Sequence, residues 1–492
     1  MGRHPGAGRT APPLPVPRAA WRLCDSLARW WRRFADDSGA AGARTDELDG
    51  ALRRSAGEPR QQRAEPARSI GARSRATGAR SPIAGIDTAC QHHADDGAAR
   101  VGSTWRPRFR VADILREHGP AVVASSPLTT QQLKALRAAQ ACRTAALGGH
   151  LDRCGGCGDE RPSYNSCRDR HCPTCQGSRQ RRWVQARMEQ ILPVQHFHVV
   201  FTLPAELRGL TLCNPRHMHN ALFDAARATL TKLGKQRLNG VLGVTAVLHT
   251  WTRELHFHPH LHCVVTAGAM DVANSRWSPS RSRFLFPVRL MSDLFRSQML
   301  KRVGAMHDGG VLRFAGRATN LGDPTVFARL QRRLYRKKWV VYAKRPFTGP
   351  AQVFQYLGRY THRVAISDHR VLDVTAENVR VATRDDSHAD MTPRQFVSRL
   401  LLHVLPSGFH KIRHFGLYAP THAKRGLLQA RQHLEGASAA TSVPATTEAT
   451  EAGAVQGEVG EKPEIPPCPR CGGHMRRHAV PRARAPPLRR SW

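Results

Sequence analysis

Two histidines, His260 and His262, end the run His256-Phe-His-Pro-His-Leu-His262, just ahead of the β-forming stretch Cys263-Val-Val-Thr266. In a strand, alternate residues face one side, so both imidazoles aim at one point while Leu261 turns to the core. Neutral imidazoles so placed can hold a divalent cation. His258 shares their face and is a candidate third ligand; Glu254 and Gln352 are further candidates. Downstream, Tyr356 and Tyr360 fall at i and i+4 of a helical stretch, on one face. Arg359, His362 and Arg363 surround them with donors suited to phosphate. A cation that polarises a phosphodiester and a phenol oxygen that attacks it together make a strand-cutting chemistry. Two tyrosines permit two linked strand transfers, each broken bond being stored in the next. The chain has 26 histidines, and His196-Phe-His198 and His256-Phe-His258 repeat the short pattern. The weight therefore rests on the histidines and tyrosines together, with His196 and His198 expected on an adjacent strand as packing or supporting residues.

A second chemistry lies in the cysteines. Six of the twelve fall between Cys142 and Cys175, which favours metal binding in a reducing cytoplasm over a disulfide framework. Cys154-Gly-Gly-Cys157 and Cys172-Pro-Thr-Cys175 are two Cys-x-x-Cys knuckles, expected to close one tetrahedral zinc site. Cys142, His150, Cys167 and His171 lie in the same module and supply either a second zinc or an alternative ligand set. Four thiolates leave no open position, so this zinc is structural. The basic flank Arg168, Arg170, Arg179, Arg181 and Arg182 suits DNA phosphate. Cys468-Pro-Arg-Cys471 is a lone half-site, read equally as an inert tail or as metal ligands awaiting distant partners or a second copy.

The composition agrees with a polyanionic partner. Lys and Arg exceed Asp and Glu by 39 charges, and nucleic acid is the default partner for such an excess. An Arg-rich codon bias accounts for part of it. No run of about 18 apolar residues marks a membrane span, and the basic N-terminus lacks the apolar stretch of a secretory signal. A cytoplasmic, nucleoid-associated protein is expected.

These groups need a scaffold. Residues 1–105 are dominated by Arg, Ala, Gly, Pro and Ser and are expected to be a disordered arm. With no lysine before Lys134 and no methionine between Met1 and Met188, part of this arm is read as a mis-called start, the alternative being an Arg-rich arm on DNA. Residues 110–190 are expected to form a zinc-binding, DNA-contacting domain, with helices at Val111–His118, Thr130–Thr144 and Ser178–Ile191. Residues 191–420 are expected to carry the catalysis. Within them, strands are expected at Gln195–Leu203, Val241–Thr250, His258–Ala267 and Trp339–Ala343. Helices are expected at Pro215–Leu233, Pro324–Lys338, Gly349–Thr361 and Thr392–Leu405, with a β-meander over Arg363–Thr383. Thr392-Pro393 reads as an N-cap followed by Pro at the first helical position. A basic helix and low-complexity tail fill 421–492. The mixed order favours an α+β fold around an antiparallel sheet.

The sequence also resembles the HUH rolling-circle transposases of bacterial insertion sequences, of the two-tyrosine type with an N-terminal zinc domain. The matching stretches are Cys142-Arg-Thr-Ala-Ala-Leu-Gly-Gly-His150, Tyr164-Asn-Ser-Cys167, Arg170-His-Cys-Pro-Thr-Cys175, His198-Val-Val-Phe-Thr-Leu-Pro204, His249-Thr-Trp251, His258-Pro-His-Leu-His-Cys-Val265 and Gln355-Tyr-Leu-Gly-Arg-Tyr-Thr-His-Arg363. The resemblance implies an N-terminal zinc-binding module, then an HUH endonuclease domain whose antiparallel sheet is flanked by helices. It implies cleavage of single-stranded DNA at element ends through a phosphotyrosine, with transfer to a target. It also implies magnesium or manganese at His260 and His262, with Tyr356 and Tyr360 as nucleophiles. The long N-terminal arm and Thr266-Ala-Gly-Ala269, where a more glycine-rich turn is expected, depart from the family. Two other readings compete. A plasmid relaxase or replication initiator shares the histidine pair and tyrosine without, typically, this zinc module; a zinc-dependent DNA-binding descendant would lack catalysis.

Overall fold

The computed structural model describes residues 107–280, 285–343, 358, 364–384, 386–423, 426–439, 465 and 467–480. Its centre is a five-stranded antiparallel sheet in the order β12-β4-β5-β3-β8. The strands are β3 (His196–Thr202), β4 (Gly243–Trp251), β5 (Phe257–Thr266), β8 (Val341–Ala343) and β12 (Ile412–Gly416). Because side chains alternate along a strand, the sheet has two chemically different faces. Phe197, Val199 and Phe201 of β3, Leu261, Cys263 and Val265 of β5, and Val244, Ala246 and Leu248 of β4 all join the main apolar core. The other face carries the histidines.

Two long helices cover the apolar face: α5 (Pro215–Leu238) and α6 (Val288–Asp308). Helix α5 starts with Pro at its first position and ends at Asn239 in the left-handed region, a start and stop that the chain's own chemistry favours. Helix α6 has no counterpart in the sequence reading. Its buried Met291, Phe295, Met299 and Val303 recur every four residues, which is one helix face. A further helix, α7 (Pro324–Arg336), is capped by Asp323, whose side chain accepts from the amides of Thr325 and Val326.

The N-terminal helices α1 (Val111–Ser125) and α2 (Thr130–Ala141) do not build a core of their own. Val111, Ile114, Leu115, Val122 and Leu136 share one apolar cluster with Val364, Ile366, Val371, Val379, Val381, Phe396 and Val397. That cluster brings in the meander β9 (Val371–Val374), β10 (Val379–Ala382) and β11 (His388–Met391), and helix α8 (Pro393–Leu401). Thr129 and Gln132 close a capping box on α2, and Thr392 and Gln395 close one on α8, each typically contributing about 1 kcal/mol. Helices α1 and α2, the segment Cys167–Cys175 and residues 364–401 are thus one packing unit, although the sequence order predicts a single domain over residues 110–190.

Helix α3 (Gly177–Met188) lies on the histidine side of the sheet. Its Trp183 and Val184 pack with Val247, Val264 and Ile412. A separate three-stranded sheet in the order β13-β1-β2 joins β1 (Gly149–Cys154) and β2 (Glu160–Tyr164) to β13 (Met475–Val480). The tail is therefore not all low-complexity chain: it contains a strand paired with residues more than three hundred positions earlier. No helix among the described residues is long and apolar enough to cross a membrane.

Candidate metal and nucleic-acid site

The register of the central sheet gathers the histidines. His260 of β5 stands opposite His249 of β4 and Thr202 of β3, while His262 stands opposite Val247 and Val200. Directly paired residues point to the same face, so His249, His260 and His262 converge. Their ligand nitrogens all lie within 4.8 Å of one another, and all three residues are buried. His260 Nε2 and His262 Nε2 are 3.0 Å apart. That matches the roughly 3.0 Å separating adjacent ligands set about 2.1 Å from an octahedral cation.

The neighbours fix these rings. His260 Nδ1 meets the His258 carbonyl at 2.7 Å, which leaves Nε2 for a ligand. His198, on β3, presents its Nε2 2.8 Å from His262 Nδ1, so the supporting role predicted for it is met in the geometry. Trp251 stacks on His249, with centroids 4.6 Å apart and planes within 19°. Burial pushes His260 down to about 3, helped by the neighbouring His258. His260 is therefore neutral at physiological pH, the form that binds metal.

Of the predicted third ligands, His258 does not join the cluster: its Nδ1 faces the Arg208 guanidinium at 3.1 Å, and burial pushes it down to about 4. Glu254 is exposed and pairs with His256 at 3.2 Å. Gln352, Tyr356, Arg359, Tyr360, His362 and Arg363 lie outside the described residues. Gly358, between the two tyrosines, is described: it is helical and buried, and a Cβ built on it would come 2.6 Å from Val184 Cγ2 of α3. His249 was the residue sequence reasoning passed over as a ligand. Alternation with Thr245 and Val247 puts it on one face of its strand, but only the register with the strand bearing His260 brings it to the cluster.

The zinc ligands divide differently from the expectation. Cys154 and Cys157 do not share a site with Cys172 and Cys175. One quartet is Cys142, Cys167, Cys172 and Cys175; the other is Cys154, Cys157, Cys468 and Cys471. Spacing alone favoured the adjacent pairing because both knuckles look alike, but β1 carries Cys154 into another sheet. In the first quartet, hydrogen bonds from the Cys167 and Cys172 side chains hold the Cys142 thiol down to about 7. His171 belongs to neither quartet: its Nδ1 meets Asp169 at 3.1 Å and its Nε2 accepts from the Leu405 amide at 3.1 Å. His150 stands 3.9 Å from Asp152 and is not in a quartet either.

Arg179, Arg181 and Arg182 are exposed on α3. Arg170, counted with them in the basic flank, is instead turned inward: its guanidinium donates to the carbonyls of Leu405, Pro406 and Phe409. It ties the Cys172–Cys175 knuckle to the loop that leads into β12.

Known proteins match both halves of this arrangement. A family model described as "Transposase zinc-binding domain", of IS91 type, matches residues 114–203. One described as "Putative transposase" matches residues 243–425. The chain is 41% identical over 347 residues to "Putative transposase y4qJ" of Sinorhizobium fredii, covering 69% of this chain and 86% of that one. The chain belongs to the IS91-type transposases. It is also 27% identical over 293 residues to "Transposase for insertion sequence element IS801" of Pseudomonas savastanoi pv. phaseolicola, covering 57% of this chain and 68% of that one. No solved structure matches. The first match in this transposase spans the quartet Cys142, Cys167, Cys172 and Cys175, and the second spans His249, His260 and His262.

Proposed function

We propose that this transposase cuts and rejoins single-stranded DNA at the ends of its insertion sequence, through a covalent phosphotyrosine, in a rolling-circle type of transposition. The observation that carries this reading is the convergence of His249, His260 and His262 from two paired strands. Three buried nitrogen donors, at least one of them held neutral, can bind a divalent transition metal such as manganese through one face and leave its other positions to phosphate oxygen; magnesium, which prefers oxygen ligands, is the poorer fit. Such a cation, when bound, draws charge from the scissile phosphate. His198 and the His258 carbonyl orient the ligands. Trp183 and Val184 of α3 pack on Val247 and Val264, which share the sheet face of His249 and His262.

Tyr356 or Tyr360 supplies the nucleophile. Its phenol loses a proton, a Tyr O–P bond forms, and the P–O3′ bond breaks to leave a 3′-hydroxyl and a 5′-phosphotyrosine. The closeness of Gly358 to Val184 supports this assignment, since Gly358 lies between the two tyrosines in the sequence and Val184 belongs to the helix on the histidine side of the sheet. Arg179, Arg181 and Arg182, exposed on α3, suit the phosphates of the incoming strand. The quartet Cys142, Cys167, Cys172 and Cys175 is suited to a structural zinc that holds the end of α2 to the Cys172–Cys175 knuckle. The test is manganese binding alongside strand cleavage: His260→Ala is expected to lose both while DNA binding persists, and an unchanged cleavage rate would refute the assignment.

A further inference from the structure

We propose that Cys154, Cys157, Cys468 and Cys471 form a second zinc site, which fastens strand β13 to β1 and joins these two segments, distant in the sequence, into one zinc ribbon. The proposal is independent of the tyrosine chemistry. The matched zinc-binding segment, residues 114–203, contains only half of these ligands.

The distances select the chemistry. Cys154 Sγ lies 3.5 Å from Cys471 Sγ, and Cys157 Sγ lies 3.7 Å from Cys468 Sγ. A disulfide needs about 2.05 Å. Four sulfurs set about 2.3 Å from a tetrahedral zinc are about 3.8 Å apart, and all four here lie within 4.8 Å of one another. Four thiolates complete the coordination shell, so the site is structural.

The two knuckles have the same local build. In each, the second cysteine is followed by a glycine in the left-handed region, Gly158 and Gly472, both at φ 72°. The amide of each donates back to the carbonyl of the first cysteine: Gly158 to Cys154 and Gly472 to Cys468. A side chain at that φ is strained, so each glycine permits the turn that brings its two sulfurs together. At the tips, a Cβ on Gly473 would sit 3.2 Å from Cys471 Sγ and 3.3 Å from Cys154 Sγ, so glycine leaves room for the sulfurs. The strands continue the symmetry: Cys154 pairs with Met475, and β1 and β13 stay in register through Gly149 and Val480. The Arg477 guanidinium grips Asp152 with both arms, at 2.7 and 3.1 Å.

Apolar packing cannot do this alone. Among the described residues, the cluster at the junction holds Cys154, Cys468 and Met475, with Ile465 partly buried beside them. A structural metal supplies the folding free energy that so small a core lacks.

The measurement is zinc content by mass spectrometry on the full chain, purified under reducing conditions. Two zinc ions per chain are expected. The Cys468→Ser/Cys471→Ser variant is expected to hold one. Cys142→Ser/Cys167→Ser is also expected to hold one, and adding Cys468→Ser to it to hold none. With cobalt in place of zinc, the thiolate-to-metal absorption of Cys468→Ser/Cys471→Ser should fall to half that of the unmodified chain, because one of two tetrathiolate sites is gone. One zinc in the unmodified chain, or two in Cys468→Ser/Cys471→Ser, overturns the proposal.

Discussion

His198 Nε2 stands 2.8 Å from His262 Nδ1, and the two rings are parallel within 2°. For His262 Nε2 to offer a lone pair to a cation, its Nδ1 must carry the proton, and His198 must accept it. His198 therefore sets the tautomer of a ligand that it does not replace. Partners of this kind typically account for ten- to hundredfold in metal affinity. His198→Phe should weaken manganese binding by that factor in calorimetry, with the fold retained; unchanged affinity would remove His198 from the account.

Gly358 leaves no room for a side chain beside Val184. Gly358→Ala should push residue 358 off α3 and lower the yield of cleaved strand at least several-fold without changing manganese affinity. Val184→Ala opens the same space, so the double variant should recover part of the loss. Two independent, additive losses would show that the contact plays no positioning role.

Lys411 is half-buried with its ammonium nitrogen shut off from solvent and meeting no acceptor among the described residues, and burial with the Arg170 guanidinium nearby brings it down to about 7. A buried polar group without a partner costs on the order of 1–3 kcal/mol. Lys411→Met is expected to raise stability toward denaturant. A depressed lysine loses stability as pH falls from its unfolded value near 10.5 through about 7. The gain should therefore be largest at and below neutral pH and shrink toward pH 10. A loss of stability at pH 7 would mean that the amine makes a contact worth more than its burial costs.

His196, His219 and His403 are held neutral by burial, at about 4, 3 and 4. Their folded values lie below the unfolded value of about 6.5, so below pH 6.5 the unfolded chain takes up protons that the native state refuses. Their contribution is present above pH 6.5 and is lost as pH falls toward 4. The melting temperature should drop steadily across that window. A flat profile from pH 7 to 4.5 would contradict the burial of these rings.

The sheet strands were legible because β3, β4 and β5 are bounded and rich in Val, Phe, Thr and His, and two of the capped helices because Thr392-Pro393 and Asp323-Pro324 mark their starts. Helix α6 was missed because polar residues separate its four-spaced apolar positions. Strand β12, Ile412-Arg-His-Phe-Gly416, was missed because Arg413 and His414 conceal an edge strand whose Arg413 lies over the rings of Phe223 and Phe409. The pair His260 and His262 could be read from alternation inside one strand. His249 could not, since its place depends on the register between two strands. The cysteine quartets show the same limit: Cys471 reaches Cys154 across 317 positions, and no local spacing encodes that.

The central claim is tyrosine strand cleavage assisted by a cation at His249, His260 and His262. Its most direct test is covalent capture of the full chain on labelled single-stranded DNA from the flanks of its gene, with manganese or magnesium, resolved on a denaturing gel. The account predicts a metal-dependent protein–DNA adduct that disappears in Tyr356→Phe, in Tyr360→Phe or only when both are changed, and that is lost in His260→Ala. A folded, DNA-binding protein that forms no adduct with any flank, or an adduct that persists in the double tyrosine variant, would contradict it.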